Sequence, residues 1–158
     1  MINVLKQLSS FILPVTVLIL VPIWIEKDRS LELQWTTGIG IVIMGIGLMT
    51  VVSTVASFMM KGKGTLAPWS PPQKLVTTGL HGYVRNPMIM GVLTTLLGES
   101  MLFMSRNIFY WMVIFFVINN IYFLVYEEPD LEKRFGEEYR EYRKQVPRWF
   151  PKFKSFRK

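Results

Sequence analysis

This chain of 158 residues contains no cysteine and one histidine, His81. The first absence removes disulfide frameworks, cysteine-liganded zinc and thiol nucleophiles together. The second leaves no His-pair metal site that the chain could build alone, so no metal centre is expected. A Ser-His-Asp triad would have to recruit His81, and no Gly-x-Ser-x-Gly elbow accompanies it. Charge is scarce as well. Charged residues make up 18% of the chain, against about 25% in a typical soluble domain.

The placement of those charges says more than their number. No charged residue occurs in the 19 positions between Lys6 and Glu26, the 28 between Glu32 and Lys61, or the 20 between Arg106 and Glu127. The 20 positions between Arg85 and Arg106 hold only Glu99. A helix needs roughly 20 mostly apolar residues to cross a bilayer. The chain therefore reads as an all-α integral membrane protein of one domain, residues 1–158. Its spans are expected near residues 8–25, 37–60, 88–104 and 108–126, followed by a polar tail over 127–158. The first window resembles a signal peptide in having Lys6 and an apolar core. Val21-Pro22-Ile23-Trp24-Ile25 offers no small-residue cleavage site, and a retained span is the expectation.

Within the second window Gly38/Gly45 and Gly40/Gly47 are pairs seven apart, which share a helix face and permit close helix approach. Only Ser105, Arg106 and Asn107 separate the third and fourth windows, so a tight antiparallel hairpin is expected. Residues 61–87 carry turn signals (Gly62, Gly64, Pro68, Pro71, Pro72, Gly79, Gly82, Pro87). With these spans, 15 of the 18 Lys and Arg fall on one side and Lys27, Arg29 and Arg106 on the other. The positive-inside rule then places both termini and the 61–87 loop in the cytoplasm. A net charge of +7 is better assigned to anionic headgroups than to nucleic acid.

The tail has its own periodicity. Leu131, Phe135, Tyr139, Tyr142 and Val146 recur at spacings of 4, 4, 3 and 4, the stripe of an amphipathic helix. Glu127, Glu128 and Asp130 at its start and Arg140, Arg143 and Lys144 near its end complement the helix dipole. Pro129 is expected in the first turn, where a missing N–H is harmless. The stripe must cover the cytoplasmic ends of the spans or lie on headgroups. Trp69, Trp149 and Phe150 read as interfacial anchors, and Asn119 and Asn120 as polar links between spans.

Two polar clusters flank the hairpin: Gly82-Tyr83-Val84-Arg85-Asn86-Pro87 before it and Glu127-Glu128-Pro129-Asp130 after it. A short hairpin brings both to one membrane surface. An Arg with two Glu suits a zwitterion, since the guanidinium fork takes a carboxylate and the acids take a cation or a ribose diol. A plain Arg–Glu pair with snorkelling side chains fits the same residues. Glu99 is a separate candidate, an acid inside the third span near its outer end.

The stretch Tyr83-x-Arg85-Asn86-Pro87-x-x-x-Gly91, the hairpin, Glu127-Glu128-x-x-Leu131-x-x-x-Phe135-Gly136-x-x-Tyr139-x-x-Tyr142, and then Pro147-Arg148 and Pro151 form one pattern over about residues 64–151. It resembles the isoprenylcysteine carboxyl methyltransferase and phospholipid methyltransferase superfamily of integral membrane enzymes. Asn86 stands where that family often has His, and Ile89 or Met90 where a Tyr is frequent. The resemblance implies S-adenosylmethionine bound at the cytoplasmic face, with methyl transfer to a lipid-like acceptor, an isoprenylcysteine-type carboxylate or a phospholipid amine. It implies His81, Tyr83, Arg85, Asn86, Gly91, Glu127 and Glu128 as cofactor-site residues, with Arg85 and Glu128 in the catalytic role. Asn86 can exchange hydrogen bonds but cannot shuttle a proton. A catalytically silent membrane binding or assembly module of the same fold is the alternative reading. A small transporter is a third, disfavoured because no inverted repeat is visible.

Overall fold

The computed structural model describes residues 12–27, 34–61 and 74–156. Residues 8–11 of the expected first span, Lys6, and the part of the 61–87 loop that holds Trp69 lie outside the described residues. Those described are helical, with no strand among them. Helix α1 covers Ile12–Ile25, α2 Trp35–Lys61, α3 Pro87–Leu102 and α4 Arg106–Tyr122. Two shorter helices come after them, α5 (Glu128–Phe135) and α6 (Glu137–Gln145).

Helices α2 and α3 pack antiparallel, and small residues set their separation. A Cβ on Gly40 would stand 2.7 Å from the Leu102 amide nitrogen and 2.8 Å from the Gly98 carbonyl. One on Gly91 would stand 2.9 Å from the Val51 nitrogen and 3.0 Å from the Gly47 carbonyl. The contact is thus backbone against backbone at two levels, Gly40 with Gly98 and Gly47 with Gly91. Gly38 and Gly45 have nothing within 4 Å of a Cβ, so of the two expected pairs only Gly40/Gly47 is buried in the contact. A core of Val17, Val51, Val92, Leu96 and Ile108 joins all four helices.

The α3–α4 turn is as tight as expected. Met104 takes a left-handed conformation (φ 48°), and the Ser105 hydroxyl caps α4 by accepting from the Ile108 amide at 3.1 Å. The same hydroxyl donates to the Glu26 carboxylate. That bond ties the end of α1 to the hairpin turn.

Two prolines shape the helices in one way. Pro22 has no N–H to return to the preceding turn, and α1 widens just before it into a π turn, Thr16–Leu20, closed by the Val21 amide on the Thr16 carbonyl. The Val17 carbonyl accepts instead from Trp111 Nε1 at 3.2 Å, which docks α1 on α4. Pro129 repeats the device: a π turn over Phe123–Glu127 is closed by the Glu128 amide on the Phe123 carbonyl. Helix therefore continues from Arg106 to Phe135. Pro129 lies inside it rather than opening a separate tail helix, and the π turn absorbs its missing donor. The inserted residue rotates the helix beyond the π turn by about 100°.

The tail is two helices, because Gly136 adopts φ +53° and breaks the chain between them. The stripe still functions as one surface. Tyr139, Tyr142, Val146 and Phe156 form a buried cluster with Leu131, Phe135 and Leu75 packed on it. Its cover is the loop before α3 and the C-terminal segment, rather than bare headgroups.

Two helices are long and apolar enough to cross a membrane, Trp35–Ser57 and Arg106–Phe135. The apolar helices Ile12–Ile25 and Pro87–Leu102 are shorter. The long pair turn large apolar side chains outward, among them Val42, Met49 and Val52 on α2 and Ile114, Ile118 and Ile121 on α4. Water would not tolerate so continuous an apolar surface.

Candidate active site at the Arg85–Glu128 cluster

The site is assembled from three stretches of chain. The first is the loop into α3. A short 3₁₀ turn, Gly79–Gly82, precedes it, and Pro87 opens α3 with Asn86 at the cap position. The second is the end of α4, where the π turn delivers Glu127 and Glu128. The third is the C-terminal segment, which lies along the loop through three backbone bonds. The Arg85 amide donates to the Pro147 carbonyl (2.9 Å), the Lys152 amide to Tyr83 (3.0 Å) and the Phe156 amide to Gly82 (2.8 Å). Tyr142 adds its hydroxyl, which donates to the His81 carbonyl at 2.7 Å. Burial raises the Tyr142 pKa further above its ordinary value, so that hydroxyl stays a donor.

At the centre stands Glu128, whose side chain is 8% exposed. Arg85 Nη1 donates to its Oε1 at 2.8 Å, Arg148 Nε donates to the same oxygen at 2.7 Å, and Arg143 Nε lies 3.8 Å from Oε2. Three guanidinium groups thus surround one buried carboxylate, which offsets the desolvation that an isolated buried charge would suffer. Arg85 Nη1 also donates to the Tyr139 hydroxyl at 3.3 Å. Burial, then the Glu128 charge, raises the Tyr139 pKa, with Arg85 opposing.

Two groups in this cluster have unused capacity. Arg85 Nε is buried and has no hydrogen-bond partner. Orphaned buried donors are uncommon and costly. Glu127, the first residue beyond the apolar stretch of α4, makes no ion pair among the described residues. Burial first, and then the carboxylates of Glu128 and Asp130, push its carboxyl up to about 7. The Glu-Glu pair therefore divides into one acid saturated by arginines and one poised to titrate near neutrality. The loop that carries Arg85 and the end of α4 that carries Glu127 meet at the Arg85–Glu128 pair, and a spare donor and an acid on those two elements suit a zwitterion, or an ammonium that must lose a proton.

The other expected residues are placed differently. Asn86 is half-buried at the start of α3, and its side chain does not cap the helix. Tyr83 is 38% exposed. His81 is half-buried in the 3₁₀ turn and meets Tyr142 through its backbone. Gly91 lies in the α2–α3 contact, against Val51 and Gly47. Asn119 Nδ2 donates to the Phe115 carbonyl of its own helix. Asn120 Oδ1 accepts from Trp149 Nε1 at 3.1 Å, so it links α4 to the tail rather than to another span. Trp149 also stacks near Phe116 and Phe123, which makes it a packed anchor, whereas Phe150 is almost fully exposed.

Arg143, Arg148 and Tyr139 belong to the cluster but were not among the residues expected there. Arg148 had a visible signal, since Pro147-Arg148 closes the sequence pattern. Arg143 reads as an ordinary helix-end cation, and Tyr139 as one member of the apolar stripe.

A helical, membrane-associated protein with a buried charged cluster at one end of its bundle is the class that fold and site define. A family model described as phospholipid methyltransferase matches residues 35–138. The chain belongs to that family and is a methyltransferase by membership. No curated protein and no solved structure matches it.

Proposed function

We propose that this protein is a multi-pass membrane enzyme that methylates the amine headgroup of a phospholipid with S-adenosylmethionine as donor. The observation that carries the reading is the division of labour in the Glu127–Glu128 pair beside the orphaned Arg85 donor. Four spans, with both termini and the site at the cytoplasmic face, complete it. In its support, Lys74, Arg85 and the basic tail lie at one end of the bundle and Lys27 and Arg106 at the other.

The residues present suit the donor. Its amino-acid carboxylate matches the unsatisfied Nε–H of Arg85, with the Asn86 amide adjacent in sequence. When bound, S-adenosylmethionine supplies a methyl group on a sulfonium, whose positive charge is lost on transfer. Glu128, held by Arg85, Arg148 and Arg143, fixes the orientation of the Arg85 fork. An ammonium headgroup has no lone pair until it gives up a proton. Glu127 takes that proton on its carboxylate, and a pKa near the working pH is what general-base catalysis requires. An amine acceptor gives the raised pKa of Glu127 a task; a carboxylate acceptor, already deprotonated, would not use it.

The test is methyl transfer in reconstituted vesicles. Labelled methyl from S-adenosylmethionine should appear in phosphatidylethanolamine and its partly methylated derivatives. Label confined to a prenylated cysteine analogue would move the acceptor to the carboxylate class. No label in any lipid, with the protein folded and cofactor-bound, would favour the silent binding module.

A further inference from the structure

A second polar feature lies at the opposite end of the bundle from Arg85. Glu99, near the C-terminal end of α3, is only 8% exposed, and its Oε2 is buried without a hydrogen-bond partner. It lines a cavity of about 260 Å³ between α1 and α3, with Leu18, Ile23 and Phe103 on the walls and Glu26 and Lys27 at the mouth. The cavity wall is mostly apolar. Its location is set by the α1 and α3 ends. Glu26 is tied to the α3–α4 turn by Ser105, so the mouth opens at the level of that turn, one bilayer thickness from Glu127 if α4 spans the membrane.

A buried carboxyl with an unsatisfied oxygen is expensive in such surroundings, and intramembrane acids of this kind commonly mark binding sites. What would satisfy it is an N–H donor carrying positive charge. Lys27 at the mouth supplies a partner for an anion close by. The wall would take acyl carbons. A primary ammonium, a neighbouring phosphate and a hydrocarbon chain occur together in one class of molecule.

We propose that the α1–α3 cavity is a second lipid site, in the leaflet opposite the methyl-transfer cleft, for a phospholipid whose headgroup bears a primary ammonium. Its ammonium donates to Glu99, its phosphate meets Lys27, and its chain lies along Leu18 and Ile23. The proposal rests on the reading that the helices cross the membrane, but not on the identity of the reaction. A quaternary ammonium has no N–H to give to Glu99, so the site discriminates between headgroups by hydrogen bonding and not by charge alone. The lipid ties α1 to the rest of the bundle at the point where the cavity separates them.

Native mass spectrometry of the full-length, delipidated protein tests this with phosphatidylethanolamine, phosphatidylcholine and phosphatidylglycerol titrated separately. Phosphatidylethanolamine should bind roughly tenfold tighter than the other two, the scale of one charge-assisted hydrogen bond. In a Glu127→Gln background, which takes the headgroup-binding acid out of the methyl-transfer cluster, the preference should persist, and Glu99→Gln should then remove it. Gln is the same size as Glu and removes a buried acid, so the variant should fold. If its melting point nevertheless falls, Ile23→Trp, which fills the cavity from an outward-facing position, should abolish the same preference. Equal binding of the three lipids would overturn the proposal. So would a preference that survives both Glu99→Gln and Ile23→Trp. A preference already lost in Glu127→Gln alone would assign the lipid to the methyl-transfer cluster and overturn it too.

Discussion

At the scale of single residues, the cluster separates two acids that adjoin in sequence. Glu128 accepts from Arg85 and Arg148 and lies beside Arg143, so its oxygens are taken up by guanidinium groups. Burial first, and then the like charges of Glu128 and Asp130, push the Glu127 carboxyl up to about 7. A base must be ionised to act, so turnover at limiting substrate should rise with pH through about 7 and level off above it. Glu127→Gln should lower turnover by about 10²–10⁴-fold and flatten that rise. A steady-state pH profile of both proteins checks this, and an unchanged rise in the variant would remove Glu127 from the role. Stability carries the opposite sign. A carboxyl raised on folding favours the protonated form, so the folded state loses stability as pH climbs from the unfolded value near 4.5 through 7. Glu127→Gln should therefore melt higher than the parent at pH 8 and alike at pH 4. The sequence shows that Glu127 and Glu128 are neighbours, yet on a regular helix neighbouring residues point about 100° apart. Which one meets Arg85 depends on the π turn, and no residue pattern announces a π turn beyond the presence of Pro129.

At the scale of elements, the glycines make the sharpest contrast. Gly40→Ala places a methyl against the backbone of α3, 2.7 Å from Leu102 N, where no rotamer can relieve it. The helices must part, at a cost of about 1–3 kcal/mol. Gly38→Ala and Gly45→Ala meet open space and gain helix propensity, about 0.5–1 kcal/mol each. Melting of the three variants in detergent should thus show one fall and two rises. Sequence spacing alone put both pairs on shared faces, because a seven-residue repeat does not say which face a partner occupies. The helices themselves were legible from charge-free windows, and α2 to α4 begin within two residues of their expected starts. The tail stripe was legible too. Its interruption at Gly136 was not, since an apolar stripe continues across a break when both halves pack on one surface.

At the scale of the whole molecule, the C-terminal segment closes the site from a distance in sequence. Its backbone bonds to Gly82, Tyr83 and Arg85, the Arg148 pair with Glu128 and the Trp149 bond to Asn120 join three stretches that no local pattern links. The sequence pattern identified the Arg85 loop and the Glu pair as partners. It could not show that the arginines of the tail complete the cluster, because long-range pairing leaves no periodic trace. The cluster therefore depends on the entire fold, and the proposed donor site rests on the Nε–H of Arg85, buried without a hydrogen-bond partner. The most direct measurement is thermal unfolding of the solubilised protein with and without S-adenosylmethionine, compared with Arg85→Lys. Lysine keeps the charge beside Glu128 but has no Nε–H fork. At 100 times the dissociation constant, the ligand should add about 2.7 kcal/mol to the parent. The variant should melt near the unliganded parent and need roughly tenfold more ligand for the same rise. No rise in the parent at saturating ligand, or an equal rise in Arg85→Lys, would contradict the assignment of this cluster as the methyl-donor site.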